Sequence, residues 1–188
     1  MTKDDIFNCA YGLRHSDDYR TQSAADLRRT LPRIPKVPAE HFQLFVDVGR
    51  TLMRLHIDYE GVDPFALDIR GDTAAGDLSA LYQVEKLKWK KGDKFTLVYN
   101  SRITIAGVPD EAHEYLLGSR SAIEWIIDRY QVKTDKASSI VNDHDDWSRE
   151  TPQPRYIRDL IAKVVTVSVE TIRIVKSLPT LNFIEVKK

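Results

Sequence analysis

The sequence predicts an α+β domain, mostly helical, with a small antiparallel β-meander at about 81–106 and a long buried C-terminal helix. Two changes of pattern predict it. Apolar residues recur at three- and four-residue spacing over 39–57 and again over 157–175, as on a helix face. Between those stretches, β-branched and aromatic residues are punctuated by turn signals, as in short paired strands.

The first helix is expected over 3–15, with Thr2 as N-cap, Asp4 and Asp5 in its first turn, and Ile6, Phe7, Ala10, Tyr11 and Leu13 as its apolar stripe. Ser16 is placed to cap a second helix running to about Arg29, which Leu31-Pro32-Arg33-Ile34-Pro35 then breaks. Over 39–57, the residues Phe42, Phe45, Val46, Gly49, Leu52, Met53 and His56 give one apolar face, read as core. Gly61, Pro64, Gly71 and Gly76 with several Asp mark 58–80 as a loop.

Tyr82, Val84, Leu87 and Trp89 then lead to a turn at Lys91-Gly92-Asp93. Phe95–Tyr99 leads to a second turn at Asn100-Ser101, and Ile103–Ile105 makes the last strand. Pro109 suits the first turn of a short helix through about Leu117. Ser119 is placed to cap the next helix, whose apolar positions are Ala122, Ile123, Trp125, Ile126 and Tyr130, with Trp125 and Ile126 in the core. Pro154 opens the last helix, to about Lys176, with Ile157, Leu160, Ile161, Val164, Val165, Val167, Val169, Ile172 and Val175 around most of its circumference. The β-branched run 164–169 is poor in an isolated helix, so a strand over 163–169 is the competing reading.

The 188 residues suit a single domain or a modest two-lobed one, read here as one domain with 1–35 as a helical lead-in and 36–188 as its core. The 42% hydrophobic and 30% charged composition is that of an ordinary globular chain. Cys9 is the one cysteine, which suits a reducing cytoplasm. No signal-like or membrane-spanning apolar run occurs. With 28 basic and 28 acidic residues the net charge is zero, so binding to a polyanion would depend on local clustering.

Catalytic motifs are missing. There is no glycine-rich phosphate loop, no HExxH, no nucleophile elbow and no Asn/Asp-Pro-Pro-Tyr/Phe tetrapeptide. His56 reads as a satisfied core or boundary histidine. Asp135, Asp143, Asp145 and Asp146 invite a cation-site reading, as Asp58 and Glu60 invite an acid/base pair. A solvated loop with a helix cap, and a helix end, account for them more simply.

Three segments suit nucleic acid. A strand over 84–90 would put Lys86, Lys88 and Lys90 on one face, spanning about 13 Å at roughly 3.3 Å per residue, as along a phosphate backbone. The same lysines could instead guard a solvated sheet edge. The polar stretch 129–142 holds Gln131, Lys133, Lys136, Ser138 and Asn142, which suit base edges or phosphates. It could equally be a connector in which Asp135 and Asn142 cap helices. Arg102, beside the Asn100-Ser101 turn, is a third candidate.

Several strings are shared with a known family. Leu31-Pro32-Arg33-Ile34-Pro35, Gly49-Arg50, Leu52, Leu55-His56, Tyr59-Glu60 and Val84-Glu85-Lys86 are among them. So are Tyr99-Asn100, Ile103 through Pro109, the run from Gly118 to Lys136, Ile140 through Asp143, Trp147, Pro154 through Ile157, and the helix from Val164 to Pro179. In these the chain resembles the C-terminal specificity domain of type ISP restriction-modification enzymes, often described as predicted helicases. The resemblance spans nearly the whole chain.

It implies sequence-specific recognition of double-stranded DNA, for an adenine methyltransferase module and a translocase-nuclease lying in other domains of a larger cytoplasmic polypeptide. S-adenosylmethionine, ATP and Mg would belong to those domains, and this chain would carry no cofactor and no active site. Because recognition domains vary most where they read sequence, the shared motifs could be scaffold and the 61–80 loop a partial reader. Two rivals stand beside this reading. One is an interdomain docking module with little DNA binding of its own, and the other is a metal-dependent hydrolase built on the Asp cluster.

Overall fold

A computed structural model describes residues 1–24, 27, 33–71 and 76–181. The chain packs as two compact units, one of residues 1–59 with 170–188 and one of 60–169.

The first unit contains α1 (Lys3–His15), α2 (Asp17–Gln22) and α3 (Ala39–Ile57). Thr2 caps α1 in a capping box with Asp5, each side chain accepting the other's backbone N–H. Ser16 caps α2 through the Tyr19 amide. The expected extension of α2 to Arg29 and the Leu31-Pro32 break fall largely outside the described residues.

Helices α1 and α3 touch backbone to backbone. A Cβ on Gly49 would lie 1.8 Å from the Asn8 carbonyl oxygen, and one on Gly12 would lie 2.6 Å from that of Phe45. Glycine is therefore required at this crossing. Cys9, Leu13, Tyr19, Phe45, Val46 and Leu181 form the core around it. Ile6 and Phe7, expected in the stripe of α1, are exposed, because the buried face is built on Asn8, Cys9, Gly12 and Leu13.

His56 is fully partnered. Tyr11 Oη lies 2.8 Å from its Nδ1 and Thr171 Oγ1 lies 2.9 Å from its Nε2. Burial lowers its pKa to about 4, helped by the neighbouring His15, which burial also holds below the usual imidazole value.

The second unit is built on a four-stranded antiparallel sheet of order β1-β4-β3-β2, with β1 (Asp68–Arg70), β2 (Lys88–Lys90), β3 (Asp93–Val98) and β4 (Thr104–Ala106). Its core joins Leu87, Leu97, Tyr99, Ile103 and Ile105 to Ile123, Ile127, Ile157, Ile161 and Val165.

Several expectations change here. The 58–80 loop contains β1, which pairs Ile69 with Ile105, and a helical turn α4 (Leu78–Leu81) capped by Asp77. The strand expected over 84–90 is strand only at 88–90, and Val84, which two-residue alternation would put on the lysine face, is buried. The short helix after Pro109, α5 (Glu111–Glu114), stops before Leu117 because residues 116–121 form a hairpin, β5 (Leu116–Leu117) with β6 (Arg120–Ser121).

The next helix, α6 (Ala122–Arg129), is capped by Ser121 and not by Ser119. Ser121 completes a capping box with Glu124, which lies three residues on. Trp125, expected in the core, is 45% exposed, whereas Ile126 packs against the buried clusters. Hairpin β7 (Lys133–Thr134) with β8 (Val141–Asn142) and helix α7 (Asp145–Glu150) follow.

The last helix, α8 (Tyr156–Lys176), is continuous, so the strand reading of 163–169 does not hold. Residues 156–169 of it count in the second unit and 170–176 in the first. Only Arg173 and Lys176 of the helix are exposed. Packing on nearly every side offsets the low helix propensity of Val164–Val169.

Two stability measurements test this packing. Gly49→Ala is expected to destabilise by about 3 kcal/mol in denaturant unfolding, since α1 must move away from α3 to admit the methyl group. A midpoint unchanged from wild type would refute the close crossing. For His56, the native pKa of about 4 lies below the ordinary 6.5, so the unfolded chain takes up the proton first. Both states are neutral above pH 6.5. Stability is then lost as pH falls from 6.5 to about 4, by up to about 3 kcal/mol. His56→Gln, which cannot titrate, should gain on wild type across that window, and parallel pH profiles would contradict the assignment.

Candidate nucleic-acid interface

The candidate residues sit on three short elements of the second unit. Lys88 and Lys90 lie on β2, the edge strand of the sheet, paired with Val98 and Asp93 across a register shift at Trp89/Lys90. Lys86 precedes the strand. All three lysines are exposed and form no ion pair among the described residues, while Leu87 between them is buried and Trp89 half-buried. The alternation expected of a strand therefore survives in the side chains over 86–90, although only 88–90 pair and it fails at buried Val84 and exposed Glu85.

The segment before β2 is held by side chains. Buried Asn100 donates from Nδ2 to the Leu81 and Gln83 carbonyls, both at 2.9 Å, and its Oδ1 accepts from the Arg102 and Ile103 amides at 2.9 and 2.7 Å. Tyr99 Oη donates to the Tyr82 carbonyl at 2.8 Å, and burial raises the pKa of that phenol. The Asp145 carboxylate accepts from the Val84 amide at 2.9 Å, and burial lifts its pKa to about 6. Glu85 accepts from both the amide and the hydroxyl of Ser101.

The β3–β4 turn is thus clamped from below, and it presents an exposed Arg102 side chain. Gly71, at φ +85° beyond β1, lies close against the same turn, since a Cβ there would lie 2.1 Å from the Arg102 carbonyl oxygen. Residues 72–75 themselves, part of the loop considered as a partial reader, lie outside the described residues.

The 129–142 stretch is a hairpin. Lys133 pairs with Asn142 and Thr134 with Val141. Asp135 closes the tip, its Oδ1 accepting from the Ala137 and Ser138 amides and from the Ser138 hydroxyl. These bonds keep the Asp135 carboxyl below the usual range. Asp135 therefore caps a turn and not a helix.

Asn142 caps nothing, because at the start of α7 it is Asp143 that accepts from the Asp145 amide. Lys136 and Asn142 are exposed, and the Ser138 hydroxyl is engaged with Asp135. Lys133 bonds the Asp128 carboxylate at 2.9 Å and the Asp128 carbonyl at 3.0 Å, so a phosphate has to compete for its ammonium group. Gln131, read in the sequence as suited to base edges, instead donates to the Leu87 carbonyl at 2.9 Å. That bond joins the hairpin segment to the lysine segment.

The acidic cluster disperses. Asp143 and Asp146 pair with Arg149, Asp145 turns inward to Val84, and Asp135 serves its own turn. Sequence reasoning missed the bracing roles of Glu85, Asn100 and Asp145, which depend on partners 16 to 61 residues away.

Asn100→Ala, which strips two carbonyls and two amides of their partners, is expected to cost about 3 kcal/mol in unfolding. Asn100→Asp should not rescue it, because a carboxylate cannot donate to the Leu81 and Gln83 carbonyls. Full stability of the Asp variant would overturn the clamp.

Comparisons with known proteins agree with this architecture. No curated protein matches the chain. Three solved structures superpose on nearly all of it. The first is a nuclease-deletion mutant of the Type ISP restriction-modification enzyme LlaGI in complex with a DNA substrate mimic. It is 40% identical, with a TM-score of 0.82, covering 95% of this chain and 14% of that one. The second is the ATP-dependent Type ISP restriction-modification enzyme LlaBIII bound to DNA, at 36% identity and TM-score 0.85, covering 97% and 12%. The third is a DrdV–DNA complex at 35% identity and TM-score 0.78, covering 96% and 18%. This chain therefore spans less than a fifth of the length of each. The Type ISP C-terminal specificity domain matches residues 1–160, and the chain belongs to that family.

Proposed function

We propose that this chain recognises an asymmetric double-stranded DNA sequence, positioning it for an adenine methyltransferase module and a translocase-nuclease outside the chain. The observation that carries the reading is the family match together with 35–40% identity, over at least 95% of the chain, to enzymes solved with DNA.

The surface supports it. Lys86, Lys88, Lys90 and Lys136 provide exposed ammonium groups for phosphates, and Arg102 offers a two-pronged donor suited to guanine from a turn that is already rigid. Phosphate contacts would set register, while the turn and hairpin tips would read base edges. Net neutrality fits a domain that forms one wall of a DNA channel and leaves the opposite wall to another domain.

The test is selection from random-sequence duplexes by the 188-residue chain over a salt series, followed by sequencing of the retained pool. Enrichment of one asymmetric motif is expected, with affinity falling steeply as salt rises. Replacing Lys86, Lys88 and Lys90 together by Ala should lower the slope of log affinity against log salt by about 2–3, roughly 0.9 for each phosphate no longer neutralised. Absence of enrichment at low salt would reduce the chain to a docking module.

A further inference from the structure

Arg155 is a half-buried cation of the second unit that lacks a counter-charge. Its guanidinium lies 5.3 Å from the centroid of the Tyr82 ring. Its Nε is shielded from solvent and meets no hydrogen-bond acceptor among the described residues, and no ion pair joins it there. Arg158 lies 5.3 Å from the same ring, but Asp159 takes its Nε at 2.7 Å. Two arginines thus share one aromatic platform, and only Arg158 has a carboxylate.

Arg155 lines a cavity of about 350 Å³ at the start of α8, with Lys163, Asp159, Glu60 and the apolar Leu78 and Leu160. Lys163 also lacks an ion pair among the described residues. Its Nζ donates at 2.6 Å to the Glu60 carbonyl. Asp159 is engaged by Arg158, and the Glu60 side chain stands exposed at the rim.

A guanidinium withdrawn from water without a counter-charge is costly, because it loses hydration and gains no attraction in exchange. An arriving anion offsets that loss. The Tyr82 ring fixes the plane of the Arg155 guanidinium, whose donors then form a fork for two oxygens of one ligand. A phosphate group suits the fork and carries more negative charge than a carboxylate, so Lys163 on the same cavity adds to its attraction. We propose that Arg155 anchors a phosphate-binding site in this cavity, with Lys163 as its second positive charge. The phosphate belongs to a nucleic-acid backbone or to a free phosphate compound, and the site stands independently of the recognition proposed above.

The Nε–H of Arg155 is itself the reporter. In the nitrogen-labelled 188-residue chain its NMR resonance is assigned by its loss in Arg155→Lys, and the unfolding midpoint of that variant checks the fold. Inorganic phosphate at constant ionic strength is expected to move this resonance to saturation, and acetate at the same ionic strength to leave it in place. Glu60→Gln removes a repelling charge from the rim and should tighten phosphate binding about threefold. An arginine that only packs on Tyr82 would show neither effect. A mixed-sequence duplex that moves the same resonance, and is displaced by inorganic phosphate, identifies a nucleic-acid backbone as the source. A duplex without effect, where inorganic phosphate acts, identifies a free phosphate compound. A resonance that stays still under both phosphate and duplex, an equal response to acetate, or an unchanged phosphate affinity in Glu60→Gln overturns the site.

Discussion

Residues 81–85 run along the core of the second unit without joining the sheet, and the rest of the candidate surface depends on how their backbone is satisfied. A buried carbonyl or amide without a partner costs about 1–3 kcal/mol, and this segment has several. Side chains supply the partners. Asn100 takes Leu81 and Gln83, Tyr99 takes Tyr82, and Asp145 takes Val84. Asn100 is saturated, with two donors and two acceptor sites all used, so its amide orientation is fixed by the chain on both sides. Two of its bonds hold the approach to β2, and the other two shape the turn bearing Arg102. The lysine strand and the arginine turn are therefore placed by one side chain.

That device explains where the sequence was legible and where it was not. Helices α3 and α8 follow from apolar spacing and α1 from its capping box, because the signals of a helix lie within about four residues. Thr2 with Asp5 is such a signal, and so is Ser121 with Glu124. Weighing the capping box would have moved the cap of α6 from Ser119 to Ser121. The meander was legible in its turns but not in its extent. Alternation over 84–90 reads as strand, yet only 88–90 pair, since Asn100 and Asp145 claim the earlier backbone from a distance. Strand β1 was illegible for a related reason: three residues amid Gly and Asp carry no period, and only Ile105 opposite Ile69 reveals the pairing. Trp125 shows the limit of helical spacing. It stands one position from Ile126, but its indole is held outward by the Leu117 carbonyl and Arg120.

The candidate site divides along the same line. Exposure of Lys86, Lys88, Lys90, Arg102, Lys136 and Asn142 could be anticipated from polarity and alternation. Engagement could not. Lys133 and Ser138 look as free as Lys136 in the sequence, but one is bonded to Asp128 and the other to Asp135. Gln131 looks like a base reader and is a strut between two segments. A side chain already bonded within the protein gives up that bond before it can take another, so it contributes less to binding than a free one, although it contributes more to the shape that binding requires.

Zero net charge acquires a physical meaning from this division. Many of the acids stand beside the bases: Asp128 between Arg120 and Lys133, Asp143 and Asp146 around Arg149, and Asp68 on Arg70. Exposed pairs of this kind add little stability, typically below about 1 kcal/mol. What they do is orient cations and quiet the field of the surface as a whole. The edge lysines at 86, 88 and 90 lack such partners among the described residues, so the field they project is local and directed. Under the proposed function, a polyanion would meet these lysines, with Arg102 and Lys136, ahead of the cations that acids already hold. Sequence recognition depends on that restriction, because every phosphate held at a wrong site is affinity spent without information.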